Sequence, residues 1–138
     1  MYDKIMVPVD LSHKDALQKG IKTAADIAKA NDATITFVGI TTAEPSAAGH
    51  TPDEFKQKLA DFAKEQAEQH GVQIDSESRV SHDPAIDKDD ILEEVVETEG
   101  FDLVVMSSHV PGLMDHVFSS NAGYLAKRSK VSVFVVRG

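Results

Sequence analysis

The 138-residue chain contains no cysteine and no tryptophan. Without cysteine, neither a disulfide framework nor a thiolate metal site can form, and thiol redox chemistry is excluded. The N-terminus enters an apolar run directly, without the pattern of a signal peptide. No apolar stretch approaches the roughly 20 residues that a transmembrane helix needs. We therefore expect a soluble, cytoplasmic protein with no membrane partner.

Positive charge is also scarce, because 14 lysine and arginine residues stand against 23 acidic residues and leave a formal net charge of -9. This excess of negative charge argues against nucleic acid as a partner, since a phosphate backbone is repelled by it. Any phosphate ligand must therefore be held by local groups. The length and the 41% content of hydrophobic residues are those of one domain with a single core, spanning residues 1–138.

Short apolar runs alternate along the chain with amphipathic stretches of helical period. We predict five strands, at 5–9, 33–40, 72–80, 101–106 and 131–137. Helical stretches between them predict an α/β fold, a doubly wound parallel sheet with helices on both faces. The first and fourth strands are unbroken apolar runs and should be central. The third is polar in its middle, which is typical of an edge strand.

Capping residues predict where the first two helices begin. Ser12 with Asp15 forms one capping box, and Thr51 with Glu54 forms a second. The inward face of the first helix is Leu17, Ile21, Ala24, Ala25 and Ala28, which follow a 3.6-residue period. Gly71 is expected to end the second helix in a left-handed conformation. The turn-rich stretch 41–50 predicts a connection between the second strand and the second helix.

Two further helices are predicted in the second half of the chain. Residues 81–90 are expected to form a loop whose acidic residues favour the positive end of a helix that starts at Ile91. Gly100 ends that helix. A short last helix is predicted at about 120–129, and basic residues near its end complement its dipole.

Polar side chains follow the first and fourth strands, where a doubly wound sheet binds its ligands. Asp10 follows the first strand, and Ser107, Ser108 and His109 follow the fourth. Residues 119–121 open the last helix, whose free N–H groups attract an anion. The spacing allows a phosphate cradle with a carboxylate opposite it, placed to accept hydrogen bonds from ribose hydroxyls.

A structural interpretation of the same residues stays open. Serine and asparagine are common N-caps, and Pro111 with Gly112 is a common turn pair. A hydrolytic triad of these serines with His109 and Asp10 is rejected, because neighbouring residues on an extended segment point to opposite sides and no nucleophile elbow is present. We predict no catalytic residue and no metal ligand, and we assign no function to His13, His50, His70 and His82.

Three segments, "KIMVPVD", "FDLVVMSSH" and "SSNA" followed by "VSVFVVR", resemble the universal stress protein family. The resemblance covers essentially the whole chain, and the order Ser-His-x-Pro then Ser-Asn-Ala is most similar to the small F-type branch. It implies a single Rossmann-like five-stranded sheet of order 3-2-1-4-5, in which the first and fourth strands are neighbours. It also implies dimerisation through the last strand and, in one branch, binding of ATP.

The resemblance also assigns site residues. The family's Pro-x-Asp corresponds to Pro8, Val9 and Asp10, and the backbone of Ile40 would contact adenine. The positions of the phosphate motif are occupied by Ser107, Val110, Ser119 and Ser120, and His109 matches the family's histidine. All three motif glycines are absent, so side chains can narrow or reshape the site. The predicted nucleotide-binding residues are Pro8, Val9, Asp10, Ile40, Met106, Ser107, Ser108, His109, Val110, Ser119, Ser120 and Asn121.

Two functions follow as expectations. No lysine or arginine lies between Ser107 and Ser120, so a bound triphosphate would need backbone N–H groups, hydroxyls, His109 and a divalent cation such as Mg²⁺. The first expectation is a regulatory protein that binds ATP with Mg²⁺ and hydrolyses it slowly or not at all. The alternative is a nucleotide-free interaction module. Under either, the apolar last strand predicts a homodimer, and a tetramer is possible.

Overall fold

The computed structural model describes residues 1–42, 51–82, 84–107 and 131–137, with the side chains of 84–90 left aside. The strands are β1 (Lys4–Pro8), β2 (Thr34–Thr42), β3 (Ile74–Ser81), β4 (Leu103–Ser107) and β5 (Ser132–Val136), and the helices are α1 (Gln18–Asn31), α2 (Pro52–His70) and α3 (Pro84–Glu99). The predicted last helix at 120–129 and the loop that precedes it lie outside the described residues.

The five strands form one sheet of order β3-β2-β1-β4-β5. All neighbouring strands are parallel, and Ile5 of β1 pairs with Ile35 of β2 on one side and Leu103 of β4 on the other. The strand order, the central place of β1 and the edge position of β3 are therefore confirmed. The expected adjacency of the first and fourth strands is confirmed as well.

Alternate side chains of the central strands supply two separate cores. Ile5 and Val7 point to the face that α1 and α2 cover, and Met6 points to the opposite face under α3. On the first face the rings of Phe37 and Phe62 pack with their centroids 5.5 Å apart. Helices thus cover both faces of the sheet, and the apolar runs at 5–9 and 101–106 are buried on both sides as predicted.

The first helix begins later than predicted. Its inward residues Leu17, Ile21, Ala24, Ala25 and Ala28 are buried as expected. Ser12, however, is not the cap: the carboxylate of Asp10 accepts a hydrogen bond from the backbone N–H of Ser12 at 2.9 Å. Two short 3₁₀ turns at Leu11–His13 and Asp15–Leu17 then precede α1. Aspartate and serine are equally good caps, so the spacing of residues cannot choose between them.

The second helix matches its prediction at both ends. The Thr51 hydroxyl accepts a hydrogen bond from the N–H of Glu54 at 3.0 Å, and Pro52 occupies the first turn. Gly71 ends the helix with a φ of 66°, a conformation that only glycine adopts without strain. The connection before this helix starts later than predicted, because β2 continues to Thr42, which pairs with Ser81 of β3. Residues 43–50 lie outside the described residues.

The third helix corrects a second prediction. It begins at Pro84, so most of the loop expected at 81–90 is helical. Proline is favoured in a first helical turn, because its fixed φ suits the helix and its missing N–H would have no partner there. The acidic residues of this stretch therefore lie within the helix rather than ahead of it. Gly100 follows the helix with a φ of 72°, as predicted.

Candidate functional site

The chain topology brings the ends of β1 and β4 together. Because both strands run in the same direction at the centre of the sheet, Asp10 and Ser107 lie at the same end of the sheet, where the strands have their carboxyl ends. The sheet continues to β2 and β3 on one side and to β5 on the other, so the winding direction reverses between β1 and β4. At such a point a crevice opens between the connections that leave the two strands. Two groups separated by about a hundred residues in the chain, Asp10 and Ser107, thus lie at the end of the sheet where a ligand crevice is expected.

Asp10 forms the wall of this crevice on the β1 side. One carboxylate oxygen accepts from the Ser12 N–H at 2.9 Å, and the other lies 3.1 Å from Nδ1 of His13. These short contacts hold the side chain in one orientation, while a quarter of it stays exposed. An ionised carboxylate has about four lone-pair sites, so it can accept further hydrogen bonds from a ligand.

His13 is a site residue that the sequence analysis missed. Its ring contacts Asp10, and 40% of its side chain is exposed. The useful signal was the Asp-x-x-His spacing directly after a buried strand, because a single 3₁₀ turn brings such residues together. Histidine 13 therefore orients the carboxylate from within the same turn. We call Asp10, Ser12 and His13 the crevice turn.

An open pocket of about 530 Å³ lies over the residues that follow Asp10. The described residues that line it are Leu11, Ser12, His13, Lys14, Asp15 and Ala16. Lys14 is exposed, and its Nζ lies 5.4 Å from the centre of the Phe62 ring. The positive charge that the stretch 107–120 lacks is thus present on a different element.

The other described residues from the predicted set form the walls of the strands. Pro8, Val9 and Met106 are buried, and the N–H of Val9 donates to the Val38 carbonyl at 2.9 Å. Ile40 is partly buried against the core under α3. Their burial leaves mainly backbone atoms for a ligand. The predicted residues Ser108, His109, Val110, Ser119, Ser120 and Asn121 lie outside the described residues.

A second group of polar side chains connects β1 and β3 to the end of α3. Arg79 lies 2.7 Å from Glu77 and 3.8 Å from Glu99, and Lys4 donates to the Glu99 carbonyl. Burial raises the pKa of Glu77; Arg79 opposes this effect and neighbouring Glu99 reinforces it. We call Lys4, Glu77, Arg79 and Glu99 the charge cluster. It borders a pocket of about 300 Å³.

Neither region offers a ready metal site. Among the described residues, no group of three or more histidine and acidic side chains could hold a metal ion. Within the same ranges, no helix is both long enough and apolar enough to cross a membrane.

The sequence model of the universal stress protein family matches residues 1–137. The chain belongs to the universal stress protein family. Its predicted family membership is thereby confirmed, while the finer resemblance to the F-type branch stays a prediction.

Curated relatives and solved structures of the universal stress protein family extend this result. Universal stress protein G of Shigella flexneri and that of Escherichia coli O157:H7 are each 28% identical over 148 residues, which cover 99% of this chain and 100% of the relative. A universal stress protein in complex with cAMP is 24% identical with a TM-score of 0.66, over 98% of this chain and 97% of that one. A family member from Arabidopsis thaliana with AMP bound is 14% identical with a TM-score of 0.67, over 98% and 91%.

Proposed function

We propose that this universal stress protein binds an adenine nucleotide, ATP with Mg²⁺, in the crevice between the ends of β1 and β4. The observation that carries the proposal is the Asp10 carboxylate, which its own turn holds in place while a quarter of its surface stays open. Two structurally similar universal stress proteins were crystallised with cAMP and with AMP, which supports an adenine nucleotide as the ligand.

Each part of the nucleotide has a proposed partner. Asp10 accepts hydrogen bonds from the ribose hydroxyls, and the backbone of Ile40 contacts adenine. The phosphates bind residues 107–110 and 119–121 through backbone N–H groups and through hydroxyls other than that of Ser107. Mg²⁺ and Lys14 supply the positive charge that a triphosphate needs in a protein of net charge -9.

The nucleotide acts as a regulatory ligand that shifts self-association or affinity for protein partners in the cytoplasm. A ligand shifts such an equilibrium only by as much as it prefers one state over the other. Hydrolysis is slow or absent. The candidate bases for activating water in the proposed site are Asp10, His13 and His109, and Asp10 and His13 already contact each other.

Released nucleotide and direct titration test the proposal. Purified protein is denatured and its supernatant analysed by mass spectrometry, and calorimetry then measures binding of ATP with Mg²⁺, of AMP and of cAMP. Replacing Asp10→Asn keeps a good capping residue but removes the charge, and affinity should fall by about tenfold or more, as expected for a lost hydrogen bond to a charged group.

Asp26→Asn is the matched control. This carboxylate also lies in the first third of the chain, but it pairs with Lys22 on the exposed side of α1. Its loss should leave nucleotide affinity unchanged. A protein that releases no nucleotide and gives no heat with any of the three ligands contradicts the proposal.

A nucleotide-free dimeric module is the second candidate, and one observation favours it. Strand β5 is an edge of the sheet, and 46% of Phe134 on this strand is exposed. An edge strand with an exposed aromatic side chain favours pairing with a second copy. Phe134→Lys should therefore convert a dimer to a monomer in sedimentation experiments, and an unchanged sedimentation coefficient rejects this interface.

A further inference from the structure

Gly20 interrupts the apolar stripe of α1 at a buried position. Glycine is a weak helix former, and alanine would suit the helix better, so a buried glycine here indicates that another group needs the space. A Cβ on Gly20 would lie 2.2 Å from Oγ of Ser107. Two such atoms cannot coexist at that distance. The hydroxyl of Ser107 therefore occupies the space that the missing methyl group leaves.

The alternation of β4 explains why Ser107 faces this helix. Leu103 and Val105 belong to the core under α1 and α2, whereas Val104 and Met106 belong to the core under α3. Successive side chains of a strand point to opposite faces, so Ser107 follows Leu103 and Val105 toward α1. Its hydroxyl is directed into the helix and not along the strand into the crevice.

We propose that Gly20 is a positioning residue for the nucleotide crevice, because it makes room for the Ser107 hydroxyl outside the ligand's space. The backbone at the end of β4 is then accessible to a phosphate oxygen, although the last residue of the strand carries a side chain. The family resemblance predicts a glycine at position 107, and here the residue without a side chain is Gly20 on the helix instead. The inference rests on the proposed function and names one of its structural conditions.

Gly20→Ala tests the inference. The added methyl group forces the Ser107 side chain into another staggered rotamer, and we expect this rotamer to place the hydroxyl in the crevice. Affinity for ATP with Mg²⁺ and for AMP, measured by calorimetry, should then fall by about tenfold, because the hydroxyl takes space from the ligand.

A double-mutant cycle separates positioning from general damage. In a Ser107→Ala background the oxygen is gone, and the Cβ of residue 107 lies 3.6 Å from the Cβ added at residue 20, which is an ordinary contact. Gly20→Ala should therefore change affinity by less than about twofold in that background, because the two changes are directly coupled.

Gly39→Ala is the matched control for overpacking. A Cβ at this buried glycine would lie 2.7 Å from Phe55, on a different helix and away from Ser107. Its effect on nucleotide affinity and on thermal stability should be the same whether residue 107 is serine or alanine.

The outcomes distinguish this inference from the proposed function. A wild-type protein that binds neither nucleotide overturns the proposed function, and the inference falls with it. If the wild type binds, an unchanged affinity in Gly20→Ala, or an equal loss in both backgrounds, overturns the inference alone. Should Gly20→Ala not fold, the Gly20→Ala/Ser107→Ala protein decides: affinity equal to that of Ser107→Ala supports the inference, and weaker binding or failure to fold overturns it.

Discussion

The crevice turn and the charge cluster both hold acidic side chains in place, but with different kinds of partner. In the crevice turn, Asp10 is held by a neighbouring N–H and by His13, all within four residues of the chain. In the charge cluster, Arg79 of β3 joins Glu77 of the same strand to Glu99 of α3, and Lys4 of β1 reaches that helix end. One region is local, and the other connects distant segments.

This difference is the reason for proposing the crevice turn as a binding region and the charge cluster as a structural one. In the charge cluster, Arg79 lies against the carboxylates of Glu77 and Glu99 and largely balances their charge. These ion pairs connect α3 to the sheet. In the crevice turn, no arginine or lysine contact to the Asp10 carboxylate balances its charge among the described residues, and its partners are a backbone N–H and a histidine. A carboxylate that is oriented but not neutralised retains the capacity to bind a ligand.

Removal of the Asp10 side chain should have the largest effect on nucleotide binding. Asp10→Ala is expected to lower the free energy of unfolding by about 1 kcal/mol, the usual value for a lost capping residue, and to abolish measurable nucleotide binding. Urea denaturation and calorimetry measure the two effects.

Thr51→Ala is its matched control, because it removes an equivalent capping hydrogen bond from α2. It should lower stability by a similar amount and leave nucleotide affinity unchanged. Equal losses of affinity in both variants would show that the crevice turn is only a cap.

The charge cluster should affect stability alone. Arg79→Gln removes the ion pairs with Glu77 and Glu99, and all three side chains remain at least a fifth exposed. The expected loss in the free energy of unfolding is therefore about 0.5 kcal/mol, with no change in nucleotide affinity. Weaker binding in this variant would contradict the separation of the two regions.

A change of pH should have the smallest effect on stability, and the sign of this effect follows from the raised pKa of Glu77. Burial raises this pKa above the ordinary value of 4.5, so the folded protein holds the proton more tightly than the unfolded chain. The stability that this group contributes is present below that ordinary value and is lost as pH rises through the folded value.

Glu77→Gln removes this titration. The variant should therefore gain stability relative to the wild type as pH rises from about 4.5 toward neutrality. Urea denaturation of both proteins across this pH range measures the difference. Parallel curves of the free energy of unfolding against pH would show that Glu77 does not titrate in this range.

Local patterns predicted much of the fold because their causes are local. The apolar runs at 5–9 and 101–106 are β1 and β4 with small shifts at their ends, and the Thr51 cap and the glycines at 71 and 100 bound their helices as expected. The errors, at Ser12 and at 81–90, arose where two residues could serve as the helix start. In the first case the cap is Asp10, which directly follows β1, and in the second the helix begins at Pro84.

The candidate site was only partly predictable. Asp10 and Ser107 follow their strands in the sequence, so their residue types and the adjacency implied by the family resemblance pointed to them. His13, Lys14 and Gly20 were missed, because their roles depend on the turn after β1 and on how α1 packs against β4. The contact of His13 with Asp10 follows a recognisable Asp-x-x-His spacing, whereas the contact of Gly20 with Ser107 leaves no spacing that a pattern can recognise.

By itself, therefore, the sequence determined the alternation of strands and helices, the buried faces and most helix ends, because periodicity and capping depend on neighbouring residues. Only the tertiary structure decided that the Ser107 hydroxyl fills the space at Gly20. This contact depends on the distance between two segments far apart in the chain, and that distance is set by packing α1 against the sheet.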